Sequence, residues 1–154
     1  MKHWLLKTEP LVYGLDHLRS APGKTAAWDG VRNYQARNLL RDELQKGDEA
    51  FLYHSSCAEP GIAGIVRVVR AGYPDHTALD PRHAHHDPAS TAENPRWYMV
   101  DVRLVRALKR IITLDELRPH QQTKLKDMAL LRTGNRLSVM PVSDAHWRFI
   151  LTLE

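Results

Sequence analysis

RWYMVDVRLVRAL, Arg96–Leu108, reads as a long strand. Tyr98, Val100, Val102 and Leu104 fall on one side, and Asp101 and Arg103 on the other. That alternation is what an antiparallel strand with one packed and one wetted face requires. Upstream, Ile62–Gly72 is a nearly continuous apolar run interrupted by Arg67 and Arg70, and Glu49–Ser55 alternates with Phe51, Tyr53 and Ser55 together. Glu59-Pro60-Gly61 supplies the turn between them. Short strands are expected at His3–Lys7 near the start and Leu137–Val142 near the end.

The helical segments lie between these strands. Leu15–Ser20 makes one or two turns before the Pro22-Gly23 breaker. A helix is predicted from Arg32 to Leu44, with Ala36, Leu39, Leu40 and Leu44 on one face and Gly47 beyond its end. Thr113 with Glu116 forms a capping box, and Ser143 caps a last amphipathic helix bearing Trp147, Phe149 and Ile150. Helices interspersed among long central strands predict an α+β fold around a small barrel. The thirty-residue βαβ rhythm of a doubly wound sheet is missing.

The 154 residues fit one domain, taken here as 1–154, with enough length for a real core. Hydrophobic residues make up 43% and charged residues 26%, an ordinary soluble balance. No apolar run is long enough to span a membrane, and the start of the chain does not read as a secretion signal. One cysteine, Cys57, excludes an internal disulfide and fits a reducing compartment. Twenty-two Lys and Arg against 18 acids give +4, which permits nucleic-acid binding without requiring it.

Several chemistries lack support. Asp75, His76, Asp80, His83, His85, His86 and Asp87 crowd the long 74–95 loop, but their spacing matches no metal motif, so a solvated polar loop is expected. His54 and Cys57 are close in sequence, yet no placed acid and no GxSxG accompany them. No Walker loop or GxGxxG occurs. No cofactor is expected.

What remains is a set of polar residues where elements end. Lys7-Thr8-Glu9 closes the first strand, and Tyr53-His54-Ser55 closes another. Trp28, Arg32 and Asn33 stand where the next helix begins, and Thr133–Met140 leads into the last strand. If these ends converge, they form a cleft with aromatic walls and hydrogen-bonding rims, suited to a flat polar group such as a nucleobase. Packing and turn formation account for each residue taken singly; the joint placement is what points to a site.

WLLKTEP (4–10), WDGVRNYQARN (28–38), FLYHSSCAEPGIAGI (51–65), NPRWYMVDV (94–102) and LLRTGNRLSVMPVS (130–143) together resemble the EVE domain family, across nearly the whole chain. That family is similar to YTH domains within the PUA-like superfamily and includes the thymocyte nuclear proteins. The resemblance implies an open PUA-like β-barrel with flanking helices. It implies a reader of modified bases in DNA or RNA, without catalysis, that takes a flipped base into its pocket. The implied pocket is Lys7, Thr8, Glu9, Trp28, Arg32, Asn33, Tyr53, His54, Ser55, Leu137, Ser138 and Met140. Thr8 stands where many members have Ser, which keeps the hydroxyl and adds a methyl. Lacking the basic tails of eukaryotic relatives, the chain is expected to be cytoplasmic, to be a monomer, and to bind nucleic acid or a modified nucleoside. The competing readings are an enzyme using Glu9, Lys7 or His54 as general acid or base, and a protein-interaction module using the His-rich loop.

Overall fold

A computed structural model describes residues 1–154. Six strands form one sheet: β1 (His3–Thr8), β2 (Thr25–Ala27), β3 (Glu49–His54), β4 (Gly61–Pro74), β5 (Tyr98–Thr113) and β6 (Val139–Val142). Their order is β2-β5-β4-β3-β1-β6. Only β1 and β3 run parallel; every other neighbouring pair is antiparallel. β2 and β6 are free edges, so the expected α+β architecture takes the form of an open mixed sheet, not a closed barrel.

Both faces of this sheet are covered, which explains why β1 reads Trp-Leu-Leu without polar alternation. On one face Trp4, Leu6, Leu52, Val66, Val100 and Val102 pack with Leu18 and Leu40. These last two come from α2 (Leu15–Ser20) and from the turn after α3 (Tyr34–Asn38). On the other face Leu5, Phe51, Ile65, Ile112 and Met140 pack with Trp147 and Ile150 of α5 (Asp144–Leu151). Phe51 and Trp147 stack at 3.9 Å. Each buried Leu or Ile contributes about 1.5–3 kcal/mol of burial free energy.

Asp48 is the main polar group built into this core. Its carboxylate accepts from the Trp4 indole and from the backbone N–H groups of Lys2 and Gln45, all at 3.0 Å. Burial pushes the Asp48 carboxyl up. The three donors outweigh burial and hold it below the usual carboxylate range.

β4 and β5 are long, 14 and 16 residues, and their pairing shifts register four times. Each irregularity bends the ribbon and adds twist, so the pair curls around the core. The cap of α4 (Leu114–Leu117) is as expected: Thr113 Oγ1 accepts from the Glu116 N–H, and Glu116 accepts from the Thr113 N–H. Ser143 caps α5 by accepting from the His146 N–H. The remaining helix, α1 (Pro10–Tyr13), is a single turn.

Several elements differ from the sequence reading; β6, for one, begins at Val139 and not at Leu137. The Arg32–Leu44 helix begins two residues later, because the Asn33 side chain accepts from the Ala36 N–H as its N-cap. It then widens into a π-helical turn over Leu39–Glu43, closed by the Leu44 N–H donating to the Leu39 carbonyl. The wider turn puts both Leu40 and Leu44 into the core. β5 continues five residues past Leu108, and β2, three residues long, is too short to show a period.

Candidate functional site

The parallel β1–β3 pair ends with Lys7 beside Tyr53 and Thr8 beside His54. The Ser55 N–H donates to the Thr8 carbonyl at 2.8 Å, and the Lys7 N–H donates to the Ser138 carbonyl at 2.8 Å. One end of the sheet therefore gathers Lys7, Thr8, Tyr53, His54, Ser55 and Ser138.

The pleat then divides them, because partners across a strand pair share a face. Lys7, Tyr53 and Ser138 lie on the Phe51 face; Thr8 and His54 lie on the Leu6 face with the cluster that holds Trp28.

Two hollows open at this end. The larger, about 940 Å³, runs between the start of α3 and the stretch before α5, and takes in Asn33, Leu137 and Met140. The smaller, about 410 Å³, takes in Lys7, Tyr53, Arg118 and Gln121. Arg132, Thr133, Gly134 and Asn135 border both. Leu137 packs against both hydrophobic clusters and so sits where the two faces meet. Asn135 shapes the shared wall: its Oδ1 accepts from the Leu137 N–H at 2.9 Å, and its Nδ2 donates to the Ala129 carbonyl. The sequence marked Thr133–Met140 as one of the polar ends, but the implied pocket took only Leu137, Ser138 and Met140 from it.

The Lys7 ammonium is half-buried, 5.9 Å above the Tyr53 ring. Burial pushes its pKa down. Tyr53 is pushed up, again by burial, with Arg118 pulling the other way. The Glu9 residue is exposed, outside both hollows. Thr8 donates its hydroxyl to the Tyr13 carbonyl at 2.6 Å.

His54 Nε2 accepts from the Leu15 N–H at 3.1 Å, so that lone pair is occupied. Burial holds its pKa down. A general base needs the lone pair that His54 has already committed, and Lys7 lies across the sheet from it. Of the three groups named for the enzyme reading, Glu9 lies outside both hollows, and Lys7 and His54 face opposite sides of the sheet.

Three expected contacts need correction. Arg32 does not reach toward a ligand, since its five N–H groups are all used inside the chain. They donate to the carbonyl of His85 twice, to the Val31 carbonyl, to Asp75 Oδ2 and to Thr77 Oγ1. Its guanidinium also lies 5.4 Å over Trp97, which stacks on Tyr34 at 4.9 Å. Trp28 is not an open stacking wall. It is 7% exposed, because its ring packs in the core with Val31, Leu6 and Val139. Met140 is likewise fully buried beneath the groove floor.

The His-rich loop is a brace, which corrects the expectation of a solvated loop. Asp75 is sealed from solvent and accepts from Gly30, Arg32 and Thr77. Burial pushes its carboxyl up, and those donors more than reverse it. Trp97 donates to Asp87, and the Arg96 N–H to Ser90. Asp29, His83 and His85 bring ligand atoms within 4.8 Å of one another. They could hold a divalent ion only after rearrangement, since His83 Nδ1 already accepts from the His85 N–H at 3.0 Å.

The model of the EVE domain family matches residues 2–153. Thymocyte nuclear protein 1 of Homo sapiens is 45% identical over 167 aligned positions, covering 99% of this chain and 73% of that protein. The Danio rerio protein of the same name is 46% identical, covering 98% and 71%. Among solved structures, the human THYN1 protein in complex with 5-methylcytosine-containing DNA superposes with a TM-score of 0.94 at 44% identity, covering 99% of this chain and 97% of that one. A Pseudomonas putida protein superposes at 0.91 with 48% identity, covering 98% of both. The expected cytoplasmic location is overturned by these relatives, which carry a nuclear name at high identity. The lack of a basic tail was no ground for it.

Proposed function

Because this chain belongs to the EVE domain family, we propose that it binds DNA or RNA carrying a modified base, and that the base leaves its stack to enter the larger groove. The observation that carries the reading is the near-full-length likeness to a protein crystallised with 5-methylcytosine DNA, at a TM-score of 0.94. The local chemistry agrees. The groove volume, about 940 Å³, lies in the range that holds small ligands, roughly 300–1,000 Å³. Asn33 spends its side-chain oxygen on the helix cap and keeps its amide N–H groups for a base edge. Leu137 offers the apolar contact that a methyl group needs.

A flipped base costs a few kcal/mol to unstack, least when already unpaired. Apolar packing on Leu137 and hydrogen bonds to the base edge in the groove offset that cost. Binding without catalysis fits the family, and His54, one of the three groups named for the enzyme reading, has its Nε2 lone pair committed to the Leu15 N–H.

One methyl group buried against Leu137 contributes about 0.8 kcal/mol, a preference of about 4-fold for the modified oligonucleotide. Fluorescence anisotropy with paired modified and unmodified strands measures it. Leu137→Ala is expected to bring the preference close to one while retaining most of the affinity. A preference unchanged in both Leu137→Ala and Asn33→Ala would place the base elsewhere.

A further inference from the structure

One stretch of this chain carries a positive excess that no ion pair offsets. Residues 118–136, RPHQQTKLKDMALLRTGNR, hold Arg118, Lys124, Lys126, Arg132 and Arg136 against one acid, Asp127. The segment is net +4, equal to the formal charge of all 154 residues, so the rest of the chain is neutral.

The neutral remainder includes the other arginine-rich surface. On β5, Arg106 pairs with Glu154 at 2.6 Å and Arg110 with Glu116 at 2.7 Å. On β4, Arg67 pairs with Glu49 at 2.9 Å. None of the nine ion pairs of the structure includes a cation from 118–136. All five of those cations are exposed. They are nonetheless held in place, because Leu117, Leu125, Met128, Leu130 and Leu131 pin the segment to the core between them.

This segment borders both hollows. Arg118 and Arg132 line the smaller, and Arg132 and Arg136 the larger, immediately before Leu137. A polyanion lying along it would have its charges met at successive points while one of its residues faced the groove. We propose that 118–136 is the seat of a nucleic acid's sugar-phosphate backbone, a sequence-independent contact that holds a strand beside the groove whatever base is presented. This rests on the nucleic-acid reading above and adds where the strand runs.

Cations that neutralise phosphates release condensed counterions, so affinity falls with salt by about −0.7 in log–log slope per contact on a single strand. Five contacts give a slope of about −3.5, or about a 100-fold loss over a fourfold rise in salt. The test is anisotropy titration of an unmodified single-stranded DNA oligonucleotide across a salt series. One variant carries Arg118→Gln, Lys124→Gln, Lys126→Gln, Arg132→Gln and Arg136→Gln. A charge-matched control carries Arg19→Gln, Lys24→Gln, Lys46→Gln, Arg103→Gln and Lys109→Gln, all exposed and outside every ion pair. Circular dichroism melts establish that both fold.

The first variant is expected to lose most of the slope and at least 100-fold in low-salt affinity; the control is expected to keep the wild-type slope. Equal losses in the two variants, an unchanged slope in the first, or no binding by the wild type would each overturn the proposal. The modified-to-unmodified affinity ratio is read separately. A ratio of one in a wild type whose slope depends on 118–136 sinks the base reading and supports the track. A ratio above one in a first variant with unchanged slope sinks the track alone.

Discussion

Removing the Asp75 carboxylate tests whether the His-rich loop is a brace. Asp75 has no exposed side-chain surface and accepts four hydrogen bonds, at 2.6 to 3.0 Å, from Thr77, Gly30 and Arg32. In Asp75→Ala the Gly30 N–H, the Thr77 N–H and hydroxyl, and one Arg32 N–H lose their acceptor together. Breaking a buried charged pair from one side costs roughly 3–5 kcal/mol. Arg32 keeps 24% of its side chain exposed and its two bonds to the His85 carbonyl, which favours the lower end, about 3 kcal/mol. For a chain of this size that lowers Tm by about 6–12 °C. Asp75→Asn keeps shape and loses charge, so its loss is expected to be smaller.

Thermal melts by circular dichroism at pH 7 measure both variants. The pH dependence adds a sign. The folded Asp75 carboxyl lies below its unfolded value, so its contribution is fully present above about pH 4 and is lost as pH falls through the lower folded value. The gap between wild type and Asp75→Ala should therefore narrow only in that acid window. A Tm loss under about 2 °C at pH 7 would refute the idea that this carboxylate organises the loop.

Gly30→Ala should destabilise by more than Gly47→Ala. Both glycines have positive φ, +79° and +97°, worth about 1–2 kcal/mol of backbone strain in each. A Cβ at Gly30 would also lie 2.4 Å from the His85 ring, whereas nothing stands within 4 Å at Gly47. Adding His85→Ala to Gly30→Ala should recover the difference, and melts of these three variants beside the wild type check it. His54 titrates below its ordinary value when folded, so its stabilising contribution holds above about pH 6.5 and disappears as pH falls from there through the folded value. The Tm difference between wild type and His54→Gln should shrink between pH 7.5 and 5; a difference that stayed constant or grew would contradict the buried, neutral imidazole.

Much of the fold could be read from local pattern, because the signals are periodic. Val100, Val102 and Leu104 were assigned to the packed face of their strand by alternation alone, and all three are in the core. Thr113 with Glu116 and Ser143 before α5 announced their caps, because a cap is a contact between residues three apart. The π-helical turn after Asn38 was not readable, since its wider winding leaves the apolar spacing nearly unchanged. The site divides along the same line. Lys7, Thr8, Tyr53 and His54 were marked by standing at strand ends; pairing of β1 with β3 sets them at one end of the sheet but on two faces, Lys7 with Tyr53 and Thr8 with His54.

The residues themselves determined the strands with their packed faces and the helix caps. Which polar groups remain free was decided only by the fold. Arg32 meets Asp75 across 43 positions, and the Leu15 N–H meets His54 across 39. No period or short motif encodes such a partner, because it is chosen by how β4, β5 and the loops curl around the core. A hydrogen-bonding group can serve a ligand only after that packing has left it without a partner in the chain.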